Sequence, residues 1–264
     1  MKEIFGWDKA PREIVERYID KCRLFSESDS AFSNFRQDKD YTKVLEGGPI
    51  IIGEKHLKHI IELYGIESIK KNLTEFKEND IYGNPTIDKF PEVGNICRYT
   101  LLYISNALDI KRMMGDFLPK KIVEIGGGYG ALCKILSVFY YFEEYILIDI
   151  PEVLGLCKKY LNNFPKIKDK ITYVTCEEAQ KKQKIGDIDL FIAIASLAEC
   201  NFNTQMSYIN IMLKSNFGFI VYNTEHISGS MNEMNRILKK TDYIFNQKIS
   251  QHVFDEKLLQ FSRR

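Results

Sequence analysis

The chain has 264 residues, enough for one large domain or for a domain carrying a substantial cap. Its 45% hydrophobic and 28% charged residues are the composition of a soluble globular protein, not of a disordered or fibrous one. Lys+Arg 37 against Asp+Glu 36 leave a formal net charge of +1, which offers no electrostatic case for nucleic acid or a membrane surface as the main partner. The opening MKEIFGWDKAPREIVERY places charges where a signal peptide needs an apolar core, and no apolar run reaches the about 18–20 residues of a membrane span. Cys22, Cys97, Cys133, Cys157, Cys176 and Cys200 form no CxxC pair and no cluster with histidine. They read as buried, reduced thiols of a cytoplasmic protein rather than as disulfides or zinc ligands.

In chain order, PREIVERYIDKCRLF at 11–25 predicts a helix, its proline suited to the first turn. The stretch 54–73 continues in that style with a break at Gly65, and His56 and His59 on it are expected at the surface. Residues 79–95, punctuated by proline and glycine, predict a loop of the length that usually has a job. ICRYTLLYISNAL then reads as one more amphipathic helix, so 1–115 is expected to be a helical cap or lid.

From 116 to 264 the character changes. KKIVEI, EYILID, KITYVT, DLFIAIA and GFIVYNT are short β-branched runs, apolar nearly throughout, as strands buried on both faces should be. ALCKILSVFYY, PEVLGLCKKYL, EEAQKKQK and NTQMSYINIMLK predict helices between them, the rhythm of a parallel sheet covered on both faces. After a helical 231–240, YIFNQKIS and VFDEKLLQFSRR lie close together, so a terminal hairpin is expected to set the last strand antiparallel. The expected fold class is α/β: a Rossmann-like, doubly wound, mostly parallel seven-stranded sheet with an antiparallel last strand, plus the helical cap.

KIVEIGGGYG puts four glycines in the five positions 126–130, after the first strand and before a helix. A bare backbone at a helix N-terminus is a ligand site. Gly126, Gly128 and Ala131 fit the dinucleotide fingerprint loosely, and Gly126, Gly128 and Gly130 fit a loop for S-adenosylmethionine (SAM) equally well. Glu124, just before the glycines, repels a pyrophosphate but suits a ligand bearing an ammonium and a sulfonium. Asp149, closing the next strand, is placed for the ribose hydroxyls of either cofactor. With no second mononucleotide unit before the terminal hairpin, the pattern favours SAM over a nicotinamide cofactor.

EIGGGYG with IDIPEVL resembles the class I SAM-dependent methyltransferases, which carry an E-x-G-G-G-x-G loop and a D-[LI]-P-x-V second-strand motif. Within that class, the YGNP turn at 82–85, RYTLLYISNAL and DLFIAIASLAE make the chain most similar to sugar O-methyltransferases found near bacterial surface-polysaccharide genes. The resemblance spans roughly residues 80–225. It implies that Glu124 reaches the methionine ammonium, that Gly126, Gly128 and Gly130 pass under the methionine and ribose, and that Asp149 holds the ribose. Ile150 is then expected against the adenine, Cys176 at its edge, and the Ala195 carbonyl near the ammonium.

An alcohol acceptor needs a general base. Related plant O-methyltransferases place a histidine soon after the fourth strand, where this chain has Ser196-Leu197-Ala198-Glu199. Glu199 is the nearest candidate and His226 the second, with Glu225 beside it. No spaced ligand set for a metal is visible, and none is expected. Tyr82, Arg98, Tyr99 and Tyr103 are the expected acceptor contacts, tyrosines stacking on a sugar ring and arginine forking onto a phosphate or nucleotide-linked sugar. The expected activity is methyl transfer to a hydroxyl of a sugar or sugar-derived precursor of a surface polysaccharide. The alternatives are another small molecule, a phosphorus-bound oxygen of such a precursor, a nicotinamide-dependent oxidoreductase and a non-catalytic SAM-binding protein.

Overall fold

The structure is a computed structural model that describes residues 12–181, 185–197, 200–223, 236, 243–249 and 256–263. Helices Arg12–Glu27, Ile51–Tyr64 and Arg98–Met114 dominate the N-terminal part, and the second ends at Gly65, the break the sequence marks. Stretch 79–95 is more than the expected loop. It holds strand β1 (Ile87–Phe90), which pairs antiparallel with β2 (Gly94–Cys97). These strands are four residues each and are anchored only by Phe90, Ile96 and Cys97, too few positions for alternation to show in the sequence.

His56 and His59 correct a second expectation. His56 is 2% exposed, and His59 lies 3.0 Å from an oxygen of Asp109 on the Arg98–Met114 helix. Both sit at helical spacing with buried Ile52 and Ile60, on the stripe that packs against that helix, while neighbouring Lys55 and Lys58 face water.

The central sheet contains β3 (Lys121–Ile125), β4 (Glu144–Asp149), β5 (Ile171–Thr175), β6 (Ile188–Ile194), β7 (Ser215–Asn223), β8 (Tyr243–Ile249) and β9 (Glu256–Arg263). Its order is β5-β4-β3-β6-β7-β9-β8, parallel from β5 to β7. The last strand, β9, inserts antiparallel between β7 and β8, as the short link between the two terminal runs implies. The chain winds outward from β3 to β5, then returns to start β6 on the other side of β3. The crevice at the carboxyl ends of β3 and β6 is therefore the topological switch point, where open α/β sheets bind ligands.

Helix Ala131–Leu136 is shorter than its sequence suggested, as is Cys176–Gln180, and the helical run expected at 231–240 lies outside the described residues apart from Arg236. All six cysteines are free and buried. No helix among the described residues is long and apolar enough to cross a membrane.

One hydrophobic cluster joins Tyr18, Phe35 and Tyr41 of the N-terminal segment to Tyr129, Tyr160 and Phe261. A polar hub lies within it. Arg36 Nε donates to Glu46 Oε2 at 2.6 Å with both side chains almost fully buried (0% and 3% exposed), and Arg36 Nη1 donates to the Asn79 carbonyl at 2.9 Å. Glu46 Oε1 accepts from the Tyr129 hydroxyl at 2.8 Å, which ties the N-terminal segment to the glycine stretch. Removing one partner of such a pair strands a charge in the core. Arg36→Met is expected to cost roughly 3–5 kcal/mol of stability, and the double variant Arg36→Met/Glu46→Gln to recover more than half of that loss. Denaturant unfolding of the two variants beside the parent measures both.

Candidate functional site

The glycine stretch follows β3 at the switch point. Gly126 N–H still donates to the Ile148 carbonyl of β4 at 2.9 Å, and the chain then turns over itself, Gly130 N–H donating to the Gly127 carbonyl at 2.9 Å. Two positions admit glycine alone. Gly126 has φ 73°, and a Cβ there would lie 2.3 Å from Ser196 Cβ. Gly130 has φ 95°, and its Cβ would lie 2.7 Å from Leu161 Cδ1 and 2.8 Å from Cys157 Sγ. Gly126, Gly127 and Gly128 remain half-exposed, so a ligand has bare backbone to lie on.

Two carboxylates flank this backbone. Glu124 is 4% exposed beneath the turn and accepts from the Tyr145 hydroxyl at 2.7 Å. Its Oε2 lies 3.3 Å from where a Gly127 Cβ would stand. Burial pushes its pKa up to about 7, against the pull of the Tyr145 hydrogen bond, and the field of Asp149 adds to the rise. Asp149, half-buried at the end of β4, accepts from the Ile150 N–H at 2.8 Å and from the Gly128 N–H. Burial outweighs those donors and pushes it up to about 7 as well. Neither carboxylate has a cation beside it among the described residues. The site therefore favours a ligand that brings positive charge.

The other residues expected near a cofactor follow the carboxyl ends of β4, β5 and β6. Ile150 (5% exposed) leads into helix Pro151–Leu161, and Cys176 (4% exposed) opens helix Cys176–Gln180 with its thiol pushed up to about 12 by burial. Ala195, exposed just after β6, holds φ 50°, a conformation costly for a residue with a Cβ, and its N–H donates to the Val221 carbonyl at 2.9 Å. Ser196 Oγ donates to the Ile125 carbonyl at 2.6 Å, locking the end of β6 to the end of β3.

The four expected acceptor residues are not gathered in one place. Arg98 and Tyr99 line one polar cavity of about 210 Å3, together with Arg36, Glu46 and Thr86. Tyr103 lies behind it, packed edge-on to Tyr129 with its hydroxyl 3.4 Å from Glu46 Oε1. Tyr82 stands edge-on to Tyr160 and Phe164 and lines a different cavity, of about 260 Å3, beside Lys134. Glu199, His226 and Glu225 lie outside the described residues. Among the described residues no group of three or more His, Cys, Asp or Glu side chains could hold a metal ion.

Sequence reasoning missed Arg36, Glu46, Tyr145 and Ser196. Ser196 carried a signal, since it stands two residues after the end of β6, next to β3 in the sheet; the other three become visible only through long-range contacts.

No protein-family model matches the sequence, and no curated protein is significantly similar to it. Solved structures are similar in part. The methyltransferase domain of bacterial CtHen1 is 14% identical over 61% of this chain and 98% of that one, with a TM-score of 0.48. The glycopeptide N-methyltransferase MtfA, solved with SAM, is 11% identical over 61% of this chain and 94% of that one, TM-score 0.48. TrmK from M. capricolum, solved with S-adenosylhomocysteine, is 15% identical over 60% of this chain and 67% of that one, TM-score 0.44. Likenesses of this size say nothing about the chemistry of this chain.

The folded chain holds a proton on Glu124 that the unfolded chain gives up between about pH 4.5 and about pH 7, so stability falls as pH rises through that window. Glu124→Gln, which keeps an acceptor for Tyr145, is expected to be more stable than the parent at about pH 8 by up to roughly 3 kcal/mol. Below about pH 5 the gain should vanish. Denaturant titrations at the two pH values check the difference.

Proposed function

We propose that the chain is a SAM-dependent methyltransferase that methylates a hydroxyl of a sugar or sugar-derived precursor of a surface polysaccharide. One observation carries the cofactor half of this reading. Bare glycine backbone at the switch point lies between two carboxylates, Glu124 and Asp149, whose charge no cation among the described residues compensates. A dinucleotide would bring a pyrophosphate into that field; SAM brings an ammonium and a sulfonium.

Gly126, Gly128 and Gly130 would lie along the methionine and ribose, and Asp149 would accept from the ribose hydroxyls. Glu124 would act on the ammonium from beneath the loop, through the field of its carboxylate, since it is enclosed there. Ile150 and Cys176 would pack against the adenine and the Ala195 carbonyl would face the ammonium. Bound there, SAM supplies an electrophilic methyl carbon on a sulfonium. The protein aligns an acceptor oxygen with it and excludes water. Glu199 and His226 remain the proposed general bases for the hydroxyl proton.

The segment 1–115 would contribute the acceptor side and 116–264 the cofactor side; of the four expected acceptor residues, Arg98 and Tyr99 share one cavity, with Tyr103 behind it, while Tyr82 lines another. A cytoplasmic setting, where SAM and activated sugars are made, suits six unpaired thiols.

Calorimetric titration with S-adenosylhomocysteine, with NAD beside it, tests the cofactor reading. Binding of the homocysteine compound alone, at micromolar affinity or tighter, is expected; binding of NAD alone would overturn the reading. Asp149→Asn should weaken S-adenosylhomocysteine by about tenfold or more while the fold survives, because a charge-assisted pair of hydrogen bonds becomes a neutral one.

A further inference from the structure

The cavity of about 210 Å3 lies between residues 36–48 and the hairpin β1–β2 with the start of helix Arg98–Met114. Its wall is strongly polar, yet its charges are all spent on one another. Arg98 Nε and Nη2 fork onto the two oxygens of Asp88 at 2.7 and 2.8 Å, and Nη1 donates to the Gly48 carbonyl at 2.7 Å. Arg36 is held by Glu46, and Asp80 lies 3.8 Å from its Nη1. Among the described residues that line the cavity, an incoming phosphate would meet no uncompensated cation and would have to break a bidentate pair to find one.

What the wall leaves over is uncharged hydrogen-bonding capacity. The Tyr99 hydroxyl accepts from the Gly48 N–H at 2.6 Å, so its own hydrogen points elsewhere. Burial raises its pKa, which keeps that hydrogen in place. Thr86 Oγ1 accepts from Gln37 Nε2 at 3.2 Å, and among the described residues its own proton and the Gln37 Oε1 lone pairs are uncommitted at the exposed rim of the cavity. Both donor and acceptor capacity is thus left over at a cavity of about 210 Å3. Glu46 is no base here: its two oxygens already accept from Arg36, Tyr129 and Tyr103.

The cavity also adjoins the glycine loop. Glu46 is both its wall and the acceptor for Tyr129, and Leu45 Cδ1 lies 3.2 Å from where a Gly128 Cβ would stand. Glu46 holds φ 64° in this turn, a strained conformation for a non-glycine residue that the surrounding contacts enforce. A Cβ on Gly48 would lie 2.8 Å from the Tyr99 hydroxyl, so the turn closes tightly onto the cavity.

We infer that this cavity binds an uncharged, polyhydroxylated ring, with Tyr99, Thr86 and Gln37 reading its hydroxyls, and that any phosphate the acceptor carries lies outside it. As a saccharide site it stands alone; as the acceptor site it rests on the methyltransferase reading.

The test is amide NMR of the full chain titrated with a panel of methyl pyranosides, with the matching sugar 1-phosphates, and separately with S-adenosylhomocysteine. At least one neutral pyranoside is expected to shift the Gly47, Gly48 and Thr86 amides, its 1-phosphate binding no tighter. Tyr99→Phe and Thr86→Val should each weaken that pyranoside roughly five- to tenfold, the size of one lost neutral hydrogen bond. The inference is overturned if no neutral sugar moves those amides, if the shifts gather around Tyr82 instead, or if a phosphate improves binding tenfold. The S-adenosylhomocysteine arm, read at the Gly126, Gly128 and Gly130 amides, decides the cofactor reading separately, so the two failures cannot be confused.

Discussion

The buried pair of Arg36 and Glu46 is the contact on which the arrangement turns. A charge without water must be neutralised where it stands, and Glu46 has Arg36 on both oxygens and the Tyr129 hydroxyl on Oε1 as well. Tyr129 belongs to the glycine loop, so a charge requirement in the N-terminal segment fixes the position of the loop at the sheet edge. Rings complete the link: Phe35 meets Tyr129 edge-on at 5.3 Å, and Tyr129 meets Tyr160 at 4.8 Å. The N-terminal segment is thereby packed directly against the glycine loop.

The electrostatics of the two halves differ in kind. On the cap side Arg36 and Arg98 each have a carboxylate partner at hydrogen-bond distance, so charge is consumed internally. At the sheet edge Glu124 is met by a phenol and Asp149 by two backbone N–H groups, and both resist ionisation. That contrast is the basis of the proposal that a cationic ligand lies at the sheet edge and an uncharged one on the N-terminal side.

Much of this was legible in the residues. The parallel strands announced themselves because strands buried on both faces must be largely apolar, and β3, β4 and β6 are, apart from Glu124, Asp189 and the charged residues at the strand ends. The glycine loop was legible because positive φ and close approach at Gly126 and Gly130 leave no other residue type. The hairpin β1–β2 was not, being too short to display a period. Nor were the places of His56 and His59, because a polar residue on a buried stripe looks like its charged neighbours until the partner helix is in view. Tyr82 and Tyr99 looked alike as ring-stacking residues, but they line separate cavities.

By itself, then, the sequence determined the α/β architecture, the antiparallel last strand and the place of the glycine loop between two acids. Those features depend on hydrophobic period and backbone conformation, which are local properties of the chain. Only the tertiary structure decided which charges are spent and which remain. Arg98 reads as a free phosphate fork in the sequence, and it is Asp88, brought opposite by the hairpin, that occupies it. Glu46 was one acid among many until folding buried it against Arg36. Charge compensation is set by distance in space, and distance in space is what the fold supplies.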